Sequence, residues 1–223
     1  MAASFAASVL MMGSSANAEI IYDNTSSPVG PNGTITGDAP TSGTSYEIGD
    51  TVSFAGTSRT LTDWAFEYNV VGNGNETLHA FLRSLDGPSG SPGSVLWDSG
   101  LVSAAQGSHT FNANNLTLAV PGTLAWTVQF GGIDAGETSG LFFNNGPTVG
   151  TSPNFDVVTG TLVNPPAGQD FYYRASATGW DVVTTANPDN LSARFTAVPE
   201  PSTWALLTGG LGFLGFMARR RKA

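Results

Sequence analysis

Residues 63–70 read Asp-Trp-Ala-Phe-Glu-Tyr-Asn-Val, a strict alternation of large apolar with small or polar side chains. Successive side chains of a strand point to opposite faces, so Trp64, Phe66, Tyr68 and Val70 share one face and Asp63, Ala65, Glu67 and Asn69 the other. On a helix the same residues would be spread around the axis and could not be buried together. Leu124, Trp126, Val128 and Phe130 repeat the pattern against Ala125, Thr127 and Gln129. Weaker strand candidates are Ile20–Tyr22, Thr51–Ala55, Leu78–Leu85, Val95–Trp97, Leu116–Val120, Leu141–Asn144, Phe155–Thr159, Phe171–Ser176 and Leu191–Ala197. Turn-forming Asp86-Gly87-Pro88, Ser91-Pro92-Gly93, Val120-Pro121-Gly122, Asn145-Gly146-Pro147 and Asn187-Pro188-Asp189 separate them. With 28 Gly and 13 Pro, long helices are disfavoured throughout the body. About ten short strands predict an all-β body, an antiparallel β-sandwich with jelly-roll-like connections. Thr25–Ser45 and Val163–Gly168 are expected to be surface loops, and no internal repeat is evident.

The chain has 223 residues and no cysteine, so the fold stands on packing without disulfides or thiolate chemistry. The net charge is −9, yet Arg219, Arg220, Arg221 and Lys222 account for half of the eight Lys and Arg. The body that remains is strongly acidic, which disfavours nucleic acid as a partner.

The two ends read as addresses. Residues 1–18, MAASFAASVLMMGSSANA, are a short apolar run closing on Ala16-Asn17-Ala18, the small-x-small pattern of a secretory signal peptide. Cleavage is expected between Ala18 and Glu19; no Lys or Arg precedes the run, which fits a start upstream of Met1. At the other end Trp204–Ala218 is uncharged and rich in Leu, Gly, Phe and Ala. Counted from Ser202 it approaches the roughly 17 to 20 residues a transmembrane helix needs. The cations that follow would stay cytoplasmic and leave the acidic body outside. Gly209, Gly210, Gly212 and Gly215 argue against a soluble helix here, at about 1 kcal/mol each relative to Ala.

Val198-Pro199-Glu200-Pro201-Ser202-Thr203-Trp204, then this apolar stretch, then the four cations, resembles the three-part PEP-CTERM sorting signal of Gram-negative bacteria. The resemblance implies a domain plan of 1–18 leader, 19–197 body and 198–223 sorting signal. It also implies an exosortase as processing partner, a transient inner-membrane intermediate, and delivery to the cell surface or extracellular matrix, with an association with exopolysaccharide and biofilm. The two prolines keep the motif extended and accessible, because each fixes φ and disfavours helix in its predecessor. The body is similar to choice-of-anchor β domains through Gly49-Asp50-Thr51-Val52-Ser53-Phe54-Ala55-Gly56-Thr57-Ser58-Arg59 and the Trp64–Tyr68 strand, a likeness that brings no catalytic residues.

No constellation in the body spells out chemistry. Asp63 and Glu67 share a strand face but stand ~13 Å apart at ~3.3 Å per residue, beyond the ~5 to 9.5 Å used in glycoside hydrolysis. His79 and His109 accompany no Gly-x-Ser-x-Gly elbow and no His-Glu-x-x-His run, and read as surface strand residues. Oxygen ligands for calcium cluster only at Asp86-Gly87 and Asn187-Pro188-Asp189-Asn190, too few for a loop site. No metal or cofactor is therefore expected. Trp97, Trp180, Tyr172 and Tyr173 are candidates for sugar stacking, with core or rim packing as the plainer use. The Asn-x-Ser/Thr spacings at Asn24, Asn32, Asn75, Asn115 and Asn190 decide nothing. The expectation is a non-catalytic, exosortase-sorted surface or matrix protein. The alternative is a carbohydrate-binding module, and a glycan-cleaving enzyme ranks third.

Overall fold

The structure, a computed structural model, describes residues 17–26, 34–36, 43–44, 47–156, 161–163, 170–176, 179–185 and 190–199. The chain divides into two units, residues 18–200 and residues 1–17 with 201–223, and every described strand belongs to the first. The apolar stretch 204–218 lies outside the described residues. Among those described, no helix is long and apolar enough to cross a membrane.

In chain order the strands are β1 Glu19–Asp23, β2 Thr34–Thr36, β3 Gly43–Thr44, β4 Ile48–Ser53, β5 Thr60–Val71, β6 Thr77–Arg83, β7 Val95–Ser103, β8 Gly107–Ala113 and β9 Leu118–Ala119. They continue with β10 Thr123–Ile133, β11 Thr138–Asn144, β12 Asn154–Asp156, β13 Thr161–Val163, β14 Asp170–Ser176, β15 Gly179–Thr185, β16 Asn190–Leu191 and β17 Ala193–Val198. One sheet runs β1-β17-β5-β11-β16, with β2 on β11 and with β8 and β9 on β5. The other runs β15-β14-β4-β10-β6-β7, with β3 on β10, and β12 and β13 pair apart. Every described pairing is antiparallel.

The two segments with the clearest alternation are the hubs. One edge of β5 pairs first with β17 and then with β11, and the other with β9 and then β8. Their inner faces meet: Trp64 lies 5.9 Å from Trp126, Phe66 5.4 Å from Trp126 and Tyr68 6.2 Å from Phe130, measured between ring centroids. Such ring pairs contribute about 0.5–1.5 kcal/mol each beyond the area they bury. Trp64 also stacks on Phe195 of β17 at 5.7 Å, binding the last strand to the same core. The density of this packing outweighs a polar defect, since the indole N–H groups of Trp64 and Trp126 are buried without a hydrogen-bond partner among the described residues.

The weaker strand candidates coincide with β1, β4, β6, β7, β9, β11, β12, β14, β16 and β17, several with shifted ends. Three differences have physical reasons. Thr25–Ser45 is not loop throughout, because β2 and β3 pair through their backbones with β11 and β10. Strand β8 carries no apolar alternation since it is an edge strand with most residues exposed, held by backbone pairing to β5. The expected strand Leu191–Ala197 breaks at Ser192, whose N–H donates to the Phe142 carbonyl at 2.8 Å.

Asn24 secures that break. Its Nδ2 donates to the Leu191 carbonyl at 2.9 Å and its Oδ1 accepts from the Ala193 N–H at 2.7 Å, all in a fully buried setting. Asp50, also buried, accepts from the Thr51 N–H at 2.7 Å and the Leu191 N–H at 3.2 Å, and so ties β4 to β16 across the two sheets. Replacing Asn24 by Ala strands a buried N–H and a buried carbonyl, and should lower stability by about 1–3 kcal/mol, read from the shift of the urea unfolding midpoint at unchanged slope.

Candidate functional site

The first two sorting residues, Val198 and Pro199, sit where β17 leaves the sheet. Arg194 to Val198 pair with β5, and Val198 stands opposite Thr60 at the start of that strand. Ala197 is fully buried, Val198 half-buried and Pro199 exposed. Pro199 lacks an N–H to extend the ladder, so strand and motif meet without an intervening linker. On the far side of β17, Glu19 pairs with Ala197, which places the Ala18–Glu19 junction beside the motif. Ala16, Glu200, Pro201, Ser202, Thr203, Trp204 and the cations Arg219, Arg220, Arg221 and Lys222 lie outside the described residues.

The stretch Gly49–Arg59 builds the rim around this exit. Phe54 packs against Phe195 with centroids 5.2 Å apart, and the Ala55 N–H donates to the Ile21 carbonyl at 2.8 Å. Gly56 takes the left-handed φ of +61°, turning the chain so that buried Ser58 donates to the Glu19 carboxylate. The Arg59 guanidinium donates to the Ser58 and Gly56 carbonyls at 2.6 and 2.9 Å. Each of these residues closes the body around the exit of β17.

A second cluster covers the outer face of β6. A bulge in β7 sets Ser99 and Gly100 opposite the single residue Ala80, whose N–H donates to the Ser99 hydroxyl at 2.9 Å. That kink aims Asp98 at His79, with 2.5 Å between Oδ1 and Nε2. The Gly100 N–H, and after it His79, hold the Asp98 carboxyl below its ordinary pKa of 3.8. Arg83 makes a two-pronged contact with Glu47 at 2.7 and 3.1 Å, and its guanidinium lies 4.8 Å from the Phe81 ring centroid and 5.8 Å from that of Trp180. These groups cover β10 from outside, which is why Ala125 and Thr127 are as buried as the core-facing residues. Beside them Thr77, His79, Leu101, Gln129 and Gly131 line a depression of about 280 Å³, over which Leu101 is 72% exposed. Sequence reasoning missed the His79–Asp98 pair, because a bulge that brings residues 19 positions apart together leaves only a Ser-Gly as its signal.

Residues 197–222 match the PEP-CTERM protein-sorting motif. No curated protein and no solved structure matches the chain. The PEP-CTERM motif makes an exosortase the processing partner of a secreted surface protein. Its first residues, Ala197 and Val198, are strand residues of the body, so the signal overlaps the fold instead of following it.

Of the stacking candidates, Trp97 packs on Trp64 at 5.6 Å as part of the core, and the side chains of Tyr172 and Tyr173 lie outside the described residues. Glu67 accepts from the Ser192 hydroxyl at 2.6 Å, tying β5 to the break between β16 and β17. His109 is exposed on β8, with Nε2 2.7 Å from the Gln106 carbonyl oxygen. Asp86 braces the β6–β7 loop, drawn from 3.8 to about 2 by the hydroxyls of Ser84 and Ser94 and by the Ser94 N–H. Among the described residues no group of three or more His, Asp or Glu is placed to hold a metal.

Among the described residues, the carboxyl groups of Glu76 and Glu137 meet at the turn after β5. Glu76 is buried and accepts from the Asn73 and Gly74 N–H groups at 2.6 and 2.9 Å and from Gln106 Nε2 at 2.5 Å. A Cβ at Gly72 would stand 1.6 Å from Glu76 Oε1, so a larger residue there would displace that carboxylate. The arrangement organises the turn after β5. Burial acts to raise the Glu76 pKa, but hydrogen bonds from the Glu76, Asn73 and Gly74 N–H groups and from the Glu137 side chain prevail and hold it below the ordinary 4.5. A depressed folded pKa means a stabilising contribution complete above pH 4.5 and lost as pH falls through the folded value. Urea midpoints measured down a pH series should show Glu76→Gln less stable than the native chain at neutral pH, with the gap closing in acid.

Proposed function

We propose that this chain is an exported, non-catalytic passenger of the exosortase pathway, its β-sandwich body with jelly-roll-like crossings serving a structural or adhesive role at the cell surface. The observation that carries the reading is the PEP-CTERM match beginning inside the last strand of the acidic body. On this reading residues 1–18 direct export and the apolar stretch 204–218 halts in the inner membrane as a transient helix. Arg219 to Lys222 hold the cytoplasmic side, the exosortase then acts near Pro199-Glu200-Pro201, and the released body joins the exopolysaccharide-rich matrix. Support for a non-catalytic role comes from how the chemically capable groups are used: Glu76, Asp86 and Asp98 brace turns and a bulge, and Arg83 and Glu47 cover a strand.

A second reading, carbohydrate binding, is favoured by the depression beside His79 and Leu101, which offers hydroxyl-reading polar groups next to an exposed apolar side chain.

Replacing Pro199, Glu200 and Pro201 by alanines and following mature mass and location tests the first reading. Retention of the full-length chain in the membrane fraction is expected, and unchanged processing and destination contradicts it. Titration of the native chain with the producer's exopolysaccharide, repeated with Leu101→Ala, addresses the second. Saturable binding weakened by the substitution supports it, and no binding refutes it.

A further inference from the structure

The sheet edges are guarded unequally. A free edge offers unpaired N–H and C=O groups to any passing strand, and proteins blunt such edges with charge, bulges or brevity. Strand β1 carries Glu19 and Asp23 and a register shift between Ile20 and Tyr22. Strand β7 carries Asp98 and the bulge at Ser99 and Gly100, and β16 stops after two residues. Strand β8 has none of these devices. Its seven residues, Gly107-Ser108-His109-Thr110-Phe111-Asn112-Ala113, include no Asp, Glu, Lys, Arg or Pro and pair with β5 without a register shift. Among the described residues β5 is the one strand it pairs with, so its other edge is open. We infer that this open edge is where a second copy of the chain docks, the two β8 strands pairing antiparallel about a two-fold axis at Thr110.

Charge selects the occupant. Apart from its four terminal cations the chain is strongly acidic, so two copies repel over most of their surfaces and approach where charge is missing. A basic partner finds no carboxylate on β8 to read. The carboxylate opposite this strand is Glu67 of β5, facing Thr110. In the paired copies the two Glu67 residues stand three strand spacings apart, about 14 Å at ~4.8 Å each, beyond the ~8 Å screening length of physiological salt.

The strand is also complementary to itself. With Thr110 on the axis, Thr110 meets its own copy, Ser108 meets Asn112 of the second copy, His109 meets Phe111 and Gly107 meets Ala113. Paired hydroxyls and paired rings are the cross-strand contacts that stabilise antiparallel sheets. The core runs out to this edge as well. Phe111 stacks on Phe66 with centroids 4.9 Å apart and meets Trp64 at 6.1 Å, yet it is only half-buried, and His109 beside Tyr68 is exposed. A second β8 covers both rings and continues the apolar inner row across the seam.

Because the chain contains no cysteine, single thiols report the register directly. Ser108→Cys, Thr110→Cys and Asn112→Cys, all at exposed positions, are made in the full-length chain, with Asn75→Cys as an exposed control on another turn. Each is oxidised in mild detergent by dissolved oxygen with copper phenanthroline, which removes two electrons and two protons per pair of thiols. Directly opposed Cβ atoms lie about 4.5–5.5 Å apart, a small adjustment from disulfide geometry. Ser108 and its own copy stand four residues apart along the seam, about 14 Å. Disulfide dimers are expected from Thr110→Cys alone and from Ser108→Cys mixed with Asn112→Cys. Their yields should exceed severalfold those of Ser108→Cys alone, Asn112→Cys alone and the Asn75→Cys control. Association through the apolar stretch 204–218 would raise all these yields together and cannot imitate that pattern. A Thr110→Cys yield no greater than the control's, or equal yields from every β8 position, overturns the inference.

Discussion

Strand β5 joins everything else in the body. Its inner face carries Trp64 and Phe66, both fully buried, and through them it meets the opposite sheet at Trp126 and the last strand at Phe195. Its two edges divide among β17, β11, β8 and β9. A chain without disulfides has to obtain cohesion from burial and from continuous backbone pairing, and here one twelve-residue strand supplies much of both.

That arrangement also decides where the chain can be handled from outside. Strand β17 is enclosed between β1 and β5, so the residues just before Pro199 are committed to the sheet. No slack separates the sheet from Pro199, which is exposed. The Gly49–Arg59 stretch acts in the same place, since Gly56, Ser58 and Arg59 lock the rim from which both ends emerge. A sequence that draws attention as a motif thus proves to be the closure of the body around its termini.

The sequence showed the parts whose cause is local. Alternation at Trp64–Val70 and Leu124–Phe130 named the two central strands and their buried faces, because large side chains on one face of a strand have no other place to go. The sorting signal was legible because its three parts are read in linear order. Edge strand β8 and the short β2 and β3 were not, since backbone pairing leaves little trace in side-chain pattern. Asn24 and Asp50 looked like ordinary polar residues, and only the meeting of residues more than 140 positions apart reveals them as buried ties. The bulge that joins Asp98 to His79 escaped notice for the same reason.

The account's central claim is that β17 belongs to the cooperative core right up to the sorting motif. Native-state amide hydrogen exchange tests this most directly, because the free energy of opening is read residue by residue. Protection of Phe195 and Ala197 equal to that of Trp126 and Val128 is the result the account predicts. Exchange at those two positions orders of magnitude faster than in the central strands would show that the last strand frays independently, and would contradict it.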